Sequence, residues 1–379
     1  MSDEKIQLPT IIFTGGHHNS ALTIARELFE QKKALVVWYG HKYSMFGDLS
    51  LSAEYQEVTK SSIPFREVKA GKLYKTFHPL HWLRLPFGFF QAFWYLLRDR
   101  PDLVVSFGGY LATPVVLAAW IQRIPSVTHE QTTVVGLANR FIGFFATKVF
   151  VTWPQSKRYF DQNKVTITGL PLRPELFQTD SVPMFTNDLP ILYVTGGKQG
   201  SHIINETIQK SLESLLLKVN IVHQTGGSTV FNDYDTAIKH KQMLSKQLQS
   251  RYRVEKYIYE EEIGSVFSQA SIVLSRAGGH TVYEVAALAK PAIFVPIPWV
   301  SHNEQHKNAR MLVNEGAALL LAEDRLSPET LEKTLDTMLS KYQQFYNQAK
   351  VAKSRVIFNA KERIVNEITT MVSATETSK

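Results

Sequence analysis

Ile11-Ile12-Phe13-Thr14-Gly15-Gly16-His17 and, near the middle of the chain, Leu192-Tyr193-Val194-Thr195-Gly196-Gly197-Lys198-Gln199-Gly200-Ser201 decide the fold. Each is a short apolar, β-prone run that meets glycines and then a helix-length segment. Glycine lets the backbone approach a ligand closely, and a helix beginning there aims its free N–H groups at an anion. Ser275-Arg276-Ala277-Gly278-Gly279-His280-Thr281-Val282-Tyr283-Glu284 has the same build, with a carboxylate about one turn into the helix. That acid can accept hydrogen bonds from a ribose diol, or it is an ordinary first-turn carboxylate favoured by the helix dipole. None of the three is a GxGxxG or GxxxxGK[ST] loop, so nicotinamide dinucleotides and P-loop chemistry are disfavoured.

On either side of these turns β-branched runs alternate with helical segments along the whole chain, which predicts parallel sheets covered by helices on both faces. Strands are expected near Pro9–Thr14, Ala34–Trp38, Leu103–Ser106, Ser126–His129 and Lys148–Thr152. They resume near Ile191–Thr195, Asn220–Gln224, Ile272–Leu274 and Ala292–Val295. The restart after Pro183–Pro190 marks a domain boundary, and 379 residues suit two cores. The expected division is an N-terminal domain over 1–168, a hinge over 169–189, a C-terminal domain over 190–355 and a terminal helix and tail over 356–379. The uncharged run Leu103–Gln122 is long enough to cross a bilayer, but its central Gly108-Gly109 and Thr113-Pro114 break it into strand, turn and helix.

The composition is globular, with 44% hydrophobic and 20% charged residues; 42 Lys and Arg against 34 Asp and Glu give a net charge of +8. The excess fits simple solubility or an acidic partner. With no cysteine, disulfides and thiolate metal sites are excluded, and the first residues lack the build of a signal peptide. The basic residues are dispersed and no recognition motif occurs, which disfavours nucleic acid. Asp233-Tyr234-Asp235 matches the acidic pair of some metal-dependent transferases but reads better as a surface helix cap. The segment 78–98 holds Trp82, Phe89, Phe90, Phe93 and Trp94 beside Lys69, Lys72, Lys75, Arg84, Arg98 and Arg100. Some of these aromatics suit a core, but their density and basic rim suit an interfacial patch on anionic lipid.

Taken in order, Thr14-Gly15-Gly16-His17, Phe107-Gly108-Gly109-Tyr110, His129-Glu130-Gln131, Gly169-Leu170-Pro171-Leu172-Arg173, Gly196-Gly197-Lys198-Gln199-Gly200, Ser275-Arg276-Ala277-Gly278 and Asn303-Glu304-Gln305 with Asn308 resemble the bacterial MurG family over nearly the whole chain. The resemblance implies the GT-B fold, two Rossmann-like, doubly wound parallel-sheet domains facing across a cleft. It also implies an inverting transfer of N-acetylglucosamine from UDP-GlcNAc to a polyprenyl-diphosphate-linked acceptor, lipid I, giving lipid II for peptidoglycan at the cytoplasmic face of the membrane, with no essential metal or other cofactor.

Carried over residue by residue, Arg173, the Gly279, His280, Thr281, Val282, Tyr283, Glu284 turn and Gln305 hold the donor, with Thr14, Gly15, Gly16 and Thr132 facing it. Tyr110, His129 and Glu130 line the acceptor side, and His17 is the candidate base, just before a helix capped by Asn19 or Ser20. Thr132 stands where the family has asparagine and Lys198 where it has serine; Lys198 either adds charge beside the diphosphate or is simply solvated. Other readings are a GT-B transferase for a different lipid acceptor, a UDP-GlcNAc 2-epimerase, and a non-catalytic subunit that anchors a partner at the membrane.

Overall fold

The computed structural model describes residues 8–43, 51–70, 79–180, 182–228, 230–300 and 303–376, with 79–85 and 375–376 as backbone alone. The chain divides into two compact units, residues 1–172 with 357–379, and residues 173–356.

In the first unit β1 (Thr10–Thr14), β2 (Leu35–Gly40), β3 (Phe65–Glu67), β4 (Leu103–Ser106), β5 (Ser126–Glu130), β6 (Lys148–Val151) and β7 (Val165–Ile167) form one parallel sheet in the order β3-β2-β1-β4-β5-β6-β7. The inner strands are covered on both faces, which is why Ile11-Ile12-Phe13 in β1 is apolar without alternation. Alternation along each strand sorts the side chains. Ile11, Phe13, Trp38 and Val105 enter one core with the His18–Glu30 helix, while Ile12, Tyr39 and Val104 enter another with the Pro79–Asp99 and Ala112–Ile121 helices. The terminal helix Ala360–Glu376 returns to this unit, burying Ile364, Ile368 and Val372 in the first of these cores. Lys361 to Glu27 (2.8 Å) and Lys148 to Glu367 (2.7 Å) tie it down. The run Leu103–Gln122 is β4, the glycine turn and a helix.

In the second unit β8 (Ile191–Thr195), β9 (Asn220–Gln224), β10 (Tyr252–Glu255), β11 (Ile272–Ser275), β12 (Ala292–Phe294) and β13 (Ala318–Leu320) are again parallel, in the order β10-β9-β8-β11-β12-β13. Much of the segment read as a hinge is fastened here. The Asp180 N–H donates to Ser265 Oγ (2.8 Å), and Met184 N–H and Val182 C=O both engage the Gln269 amide.

Strand order reverses once in each sheet, between β1 and β4 and between β8 and β11. At such a switch point the connections leave in opposite directions and open a crevice at the C-terminal strand ends. Gly15-Gly16 follows β1, Gly108-Gly109 follows β4, Gly196-Gly197 follows β8 and Gly278-Gly279 follows β11. All the glycine turns quoted from the sequence therefore lie at the two switch points.

Candidate active site

In the first unit the turns after β1 and β4 are in backbone contact. Gly15 has φ +136°, and a Cβ there would lie 2.7 Å from the Phe107 nitrogen. The Gly16 N–H donates to the Gly108 carbonyl at 2.9 Å. No side chain fits at Gly15, which explains the glycine. His17 is exposed at the mouth of this double turn, with Nδ1 3.1 Å from the Phe107 carbonyl oxygen. A carbonyl only accepts, so the ring nitrogen facing it carries the hydrogen and neutral His17 keeps its lone pair on Nε2. The helix begins at His18 with His17 as its cap residue and no side-chain cap bond, so Asn19 and Ser20 lie inside the first turn and are not the caps expected from the sequence. His18 turns aside to Glu57 Oε2, 3.1 Å away.

Tyr110 is half-buried against the His41 ring, 5.5 Å between centroids, and burial raises its phenol. Of His129 and Glu130, read as acceptor-side residues, Glu130 is bonded within the unit on both carboxylate oxygens and His129 on Nε2 alone, its buried Nδ1 having no partner. Buried His129 stacks on Phe107, and its Nε2 lies 2.9 Å from the Gly169 carbonyl, so that nitrogen carries the hydrogen. Burial lowers its pKa to about 4 against the opposing Gly169 bond. Glu130 accepts from the N–H and hydroxyl of Thr132 (2.9 and 2.8 Å) and from Asn139 Nδ2 (2.8 Å). Thr132 is thus a buried brace of the turn after β5, and its carbonyl accepts from Ser156 Oγ. Thr14 is buried at the end of β1, and its hydroxyl has no partner.

In the second unit Gly200 has φ +83° and a Cβ there would lie 2.0 Å from the Thr225 carbonyl, so the turn after β8 interlocks with the turn after β9. Lys198 is exposed on it. After β11, Gly278 precedes the Gly279–Ala287 helix, and a Cβ on Gly278 would have only Thr281 Oγ1, at 3.9 Å, within 4 Å. Gly279, His280 and Thr281 are partly exposed there, while Val282 and Tyr283 face inward, so main-chain N–H groups are what this helix start presents. Glu284 is buried one turn further on, its Oε1 3.4 Å from Arg173 Nη2. Burial raises the Glu284 carboxyl, and Arg173 pulls it back only in part.

Gln305, on the Glu304–Val313 helix, accepts with Oε1 from the N–H groups of Ala277 (3.3 Å) and Ile297 (3.1 Å). Asn308 donates from Nδ2 to the Ala277 carbonyl at 3.3 Å. The two side chains clamp the turn after β11 to the turn after β12, and Gln305's amide nitrogen remains to donate to a ligand. Sequence reading gave no role to the buried Arg276–Glu323 ion pair beneath this clamp, in which Arg276 Nη1 also donates to Val295 O at 3.0 Å. No local pattern links residues that far apart.

Asp233 is not the surface cap expected. It is buried, with Oδ1 2.7 Å from His202 Nδ1 and Oδ2 accepting from Asn205 Nδ2 at 2.9 Å. The aromatic segment also divides. Phe90 and Trp94 are exposed, while Phe89 and Phe93 pack partly onto the core; the Trp82 side chain lies outside the described residues, as do Lys72 and Lys75. The structure adds exposed Trp120, Phe141 and Phe144 on the Ala112–Ile121 and Leu137–Phe145 helices, which pack in sequence beside the Pro79–Asp99 helix. The Trp120 and Phe145 rings lie 5.0 Å apart. A sequence signal existed in Phe141-Ile142-Gly143-Phe144-Phe145, where only Ile142 and Gly143 are buried in the helix. Among the described residues, no helix is long and apolar enough to cross a membrane.

Comparison with known proteins agrees with this layout. Residues 10–151 match the glycosyltransferase family 28 N-terminal domain, and residues 191–367 match the glycosyltransferase family 28 C-terminal domain. The UDP-N-acetylglucosamine–N-acetylmuramyl-(pentapeptide) pyrophosphoryl-undecaprenol N-acetylglucosamine transferase of Clostridium botulinum strain Hall is 32% identical over 354 residues, covering 90% of this chain and 94% of the relative. The enzyme of the same name from Clostridium perfringens strain SM101 is 31% identical, at 90% and 94% coverage. Among solved structures, Acinetobacter baumannii MurG superposes with a TM-score of 0.73 at 25% identity, covering 96% of this chain and 99% of that one. A UDP-GlcNAc 2-epimerase from Neisseria meningitidis shares the fold alone, with a TM-score of 0.63 at 16% identity over 95% of this chain and all of the other. With both domain models matched in order and full-length relatives above 30% identity, the chain belongs to the MurG family of GT-B glycosyltransferases.

Proposed function

We propose that this protein transfers N-acetylglucosamine from UDP-GlcNAc to an N-acetylmuramyl-(pentapeptide) pyrophosphoryl-undecaprenol acceptor, with His17 as the base. The observation that carries the reading is the His17 Nδ1 to Phe107 carbonyl contact at 3.1 Å, which leaves Nε2 basic at an exposed switch-point turn. In the reaction the acceptor hydroxyl oxygen bonds to the anomeric carbon as the bond from that carbon to the UDP oxygen breaks. UDP leaves with the electron pair, and the hydroxyl proton passes to Nε2. In the second unit the open N-terminus of the Gly279–Ala287 helix and Arg173 meet the diphosphate charge, Glu284 accepts from the ribose diol, and the Gln305 amide nitrogen donates to the sugar. These groups offset the leaving-group charge without calling on a metal.

The protein works at a membrane surface. Support comes from the exposed aromatics of three adjacent helices, among them Phe90, Trp94, Trp120 and Phe144, with Arg98, Arg100, Arg123 and Arg140 on or beside the same helices. Leaving that much apolar surface in water is unfavourable, whereas aromatic rings with a basic rim suit the headgroup region of anionic lipid.

Incubating the purified protein with labelled UDP-GlcNAc and a short-chain acceptor analogue tests both the activity and its rivals. An acceptor-dependent disaccharide supports the reading. Conversion of UDP-GlcNAc without acceptor would point to an epimerase, and transfer to diacylglycerol alone to a different lipid acceptor.

A further inference from the structure

Glu130, Thr132 and Asn139 around the turn after β5 are firmly paired, whereas Gln131 among them is not. Glu130 takes three hydrogen bonds, and Thr132 is bonded through its N–H, hydroxyl and carbonyl. Asn139 is engaged by Thr128 Oγ1 at 2.7 Å. Between Glu130 and Thr132 stands Gln131, 1% exposed, with neither its Oε1 nor its Nε2 bonded to anything. A buried carboxamide without partners is among the costlier side chains to keep in a fold, and the bonded Glu130, Thr132 and Asn139 beside it make no use of this one. Strand ends of the same sheet carry further unpaired buried atoms, Thr14 Oγ1 at the end of β1, His129 Nδ1 in β5 and Thr152 Oγ1 after β6.

We propose that Gln131 recognises an amide group of the acceptor. A carboxamide offers an acceptor oxygen and donor hydrogens side by side, the complement of a secondary amide, which a hydroxyl or a phosphate matches only by half. The proposed acceptor carries such amides on its N-acetyl group and in its peptide, and the unit that holds Gln131 also holds His17. The inference rests on the transferase reading above. It adds Gln131 to the acceptor side, beside a Glu130 carboxylate that is used internally and a His129 whose Nε2 is bonded and whose Nδ1 is not.

The test exploits the opposite effects expected on stability and function. Gln131→Leu replaces an unpaired buried amide with an apolar group of similar size. The variant should unfold a few degrees higher than wild type while its acceptor KM rises about tenfold or more, with UDP-GlcNAc KM and UDP affinity unchanged. Two acceptor analogues identify the amide, one lacking the acetyl group and one shortened in the peptide; the penalty should vanish on the analogue that lacks the recognised group. An unchanged acceptor KM, a rise confined to the donor KM, or a penalty undiminished on both analogues would overturn the proposal. If Gln131→Leu does not fold, Gln131→Met carries the same comparison, and failure of both to fold would make the carboxamide structural and overturn it as well. Absence of any transfer by the wild-type protein would instead remove the underlying transferase reading.

Discussion

His17 Nδ1 and the Phe107 carbonyl oxygen lie 3.1 Å apart although 90 residues separate them in the chain. The contact exists because β1 and β4 are hydrogen-bonded neighbours that end together, Thr14 opposite Ser106. Phe107 is held from its other side by His129, which stacks on the ring with centroids 5.2 Å apart. The tautomer of an exposed histidine is thus set by a backbone group that is itself fixed by a buried one.

Replacing His17 with alanine should lower kcat by about a hundredfold to ten-thousandfold, the usual contribution of a positioned base, and leave UDP affinity within about twofold. Single-turnover transfer together with UDP titration calorimetry measures both. A variant that keeps most of the wild-type rate would place the base elsewhere.

Glu284→Gln should separate stability from nucleotide binding. The carboxyl is raised by burial, so a neutral isostere keeps the fold at least as stable near neutral pH. UDP affinity should nevertheless fall about tenfold to a hundredfold, as should that of Arg173→Ala, because each loses a charge-assisted partner of the nucleotide. Calorimetry with UDP and thermal unfolding read the two effects; unchanged affinity in both variants would remove the proposed nucleotide site.

Two buried histidines make folding sensitive to acid. His129 and His223 both have pKa values lowered to about 4, chiefly by burial. Unfolded, each binds its proton near the ordinary value of 6.5, so between about pH 6.5 and 4 the unfolded chain holds more protons. Their stabilising contribution is complete above that window and is lost as pH falls through it, on the order of 3 kcal/mol for each. Urea unfolding at pH 7.5 and pH 5 should show the loss in the wild-type protein and a smaller one in His223→Gln.

Phe90→Ser, Trp94→Ser and Phe144→Ser together should leave the protein folded, since these rings are exposed, and leave UDP affinity unchanged. Sedimentation with vesicles rich in anionic lipid should fall about tenfold or more, and added salt should weaken wild-type binding only in part. Normal sedimentation of the folded variant would show that the aromatic face is not the anchor.

The sequence by itself determined the two parallel-sheet domains and the glycine turns, because both are local. A doubly covered inner strand must be an apolar run, and a turn that admits no Cβ must be glycine. Four strands escaped it: β3, β7, β10 and β13 are the outermost of their sheets, three or four residues long and only partly buried, and of these β13 alone lies in an apolar run, 317–322. Tertiary structure alone decided which polar residues are available. Glu130 looks like a ligand group in the sequence but its carboxylate is consumed inside the first unit, and Asp233 looks like a surface cap but is buried against His202 and Asn205. Gln131, undistinguished in the string of letters, is left unpaired beside a fully bonded Glu130 and Thr132. Hydrogen-bond satisfaction depends on partners brought in from distant elements, such as Asn139 for Glu130 and Gly169 for His129, and no local pattern of residue types encodes it.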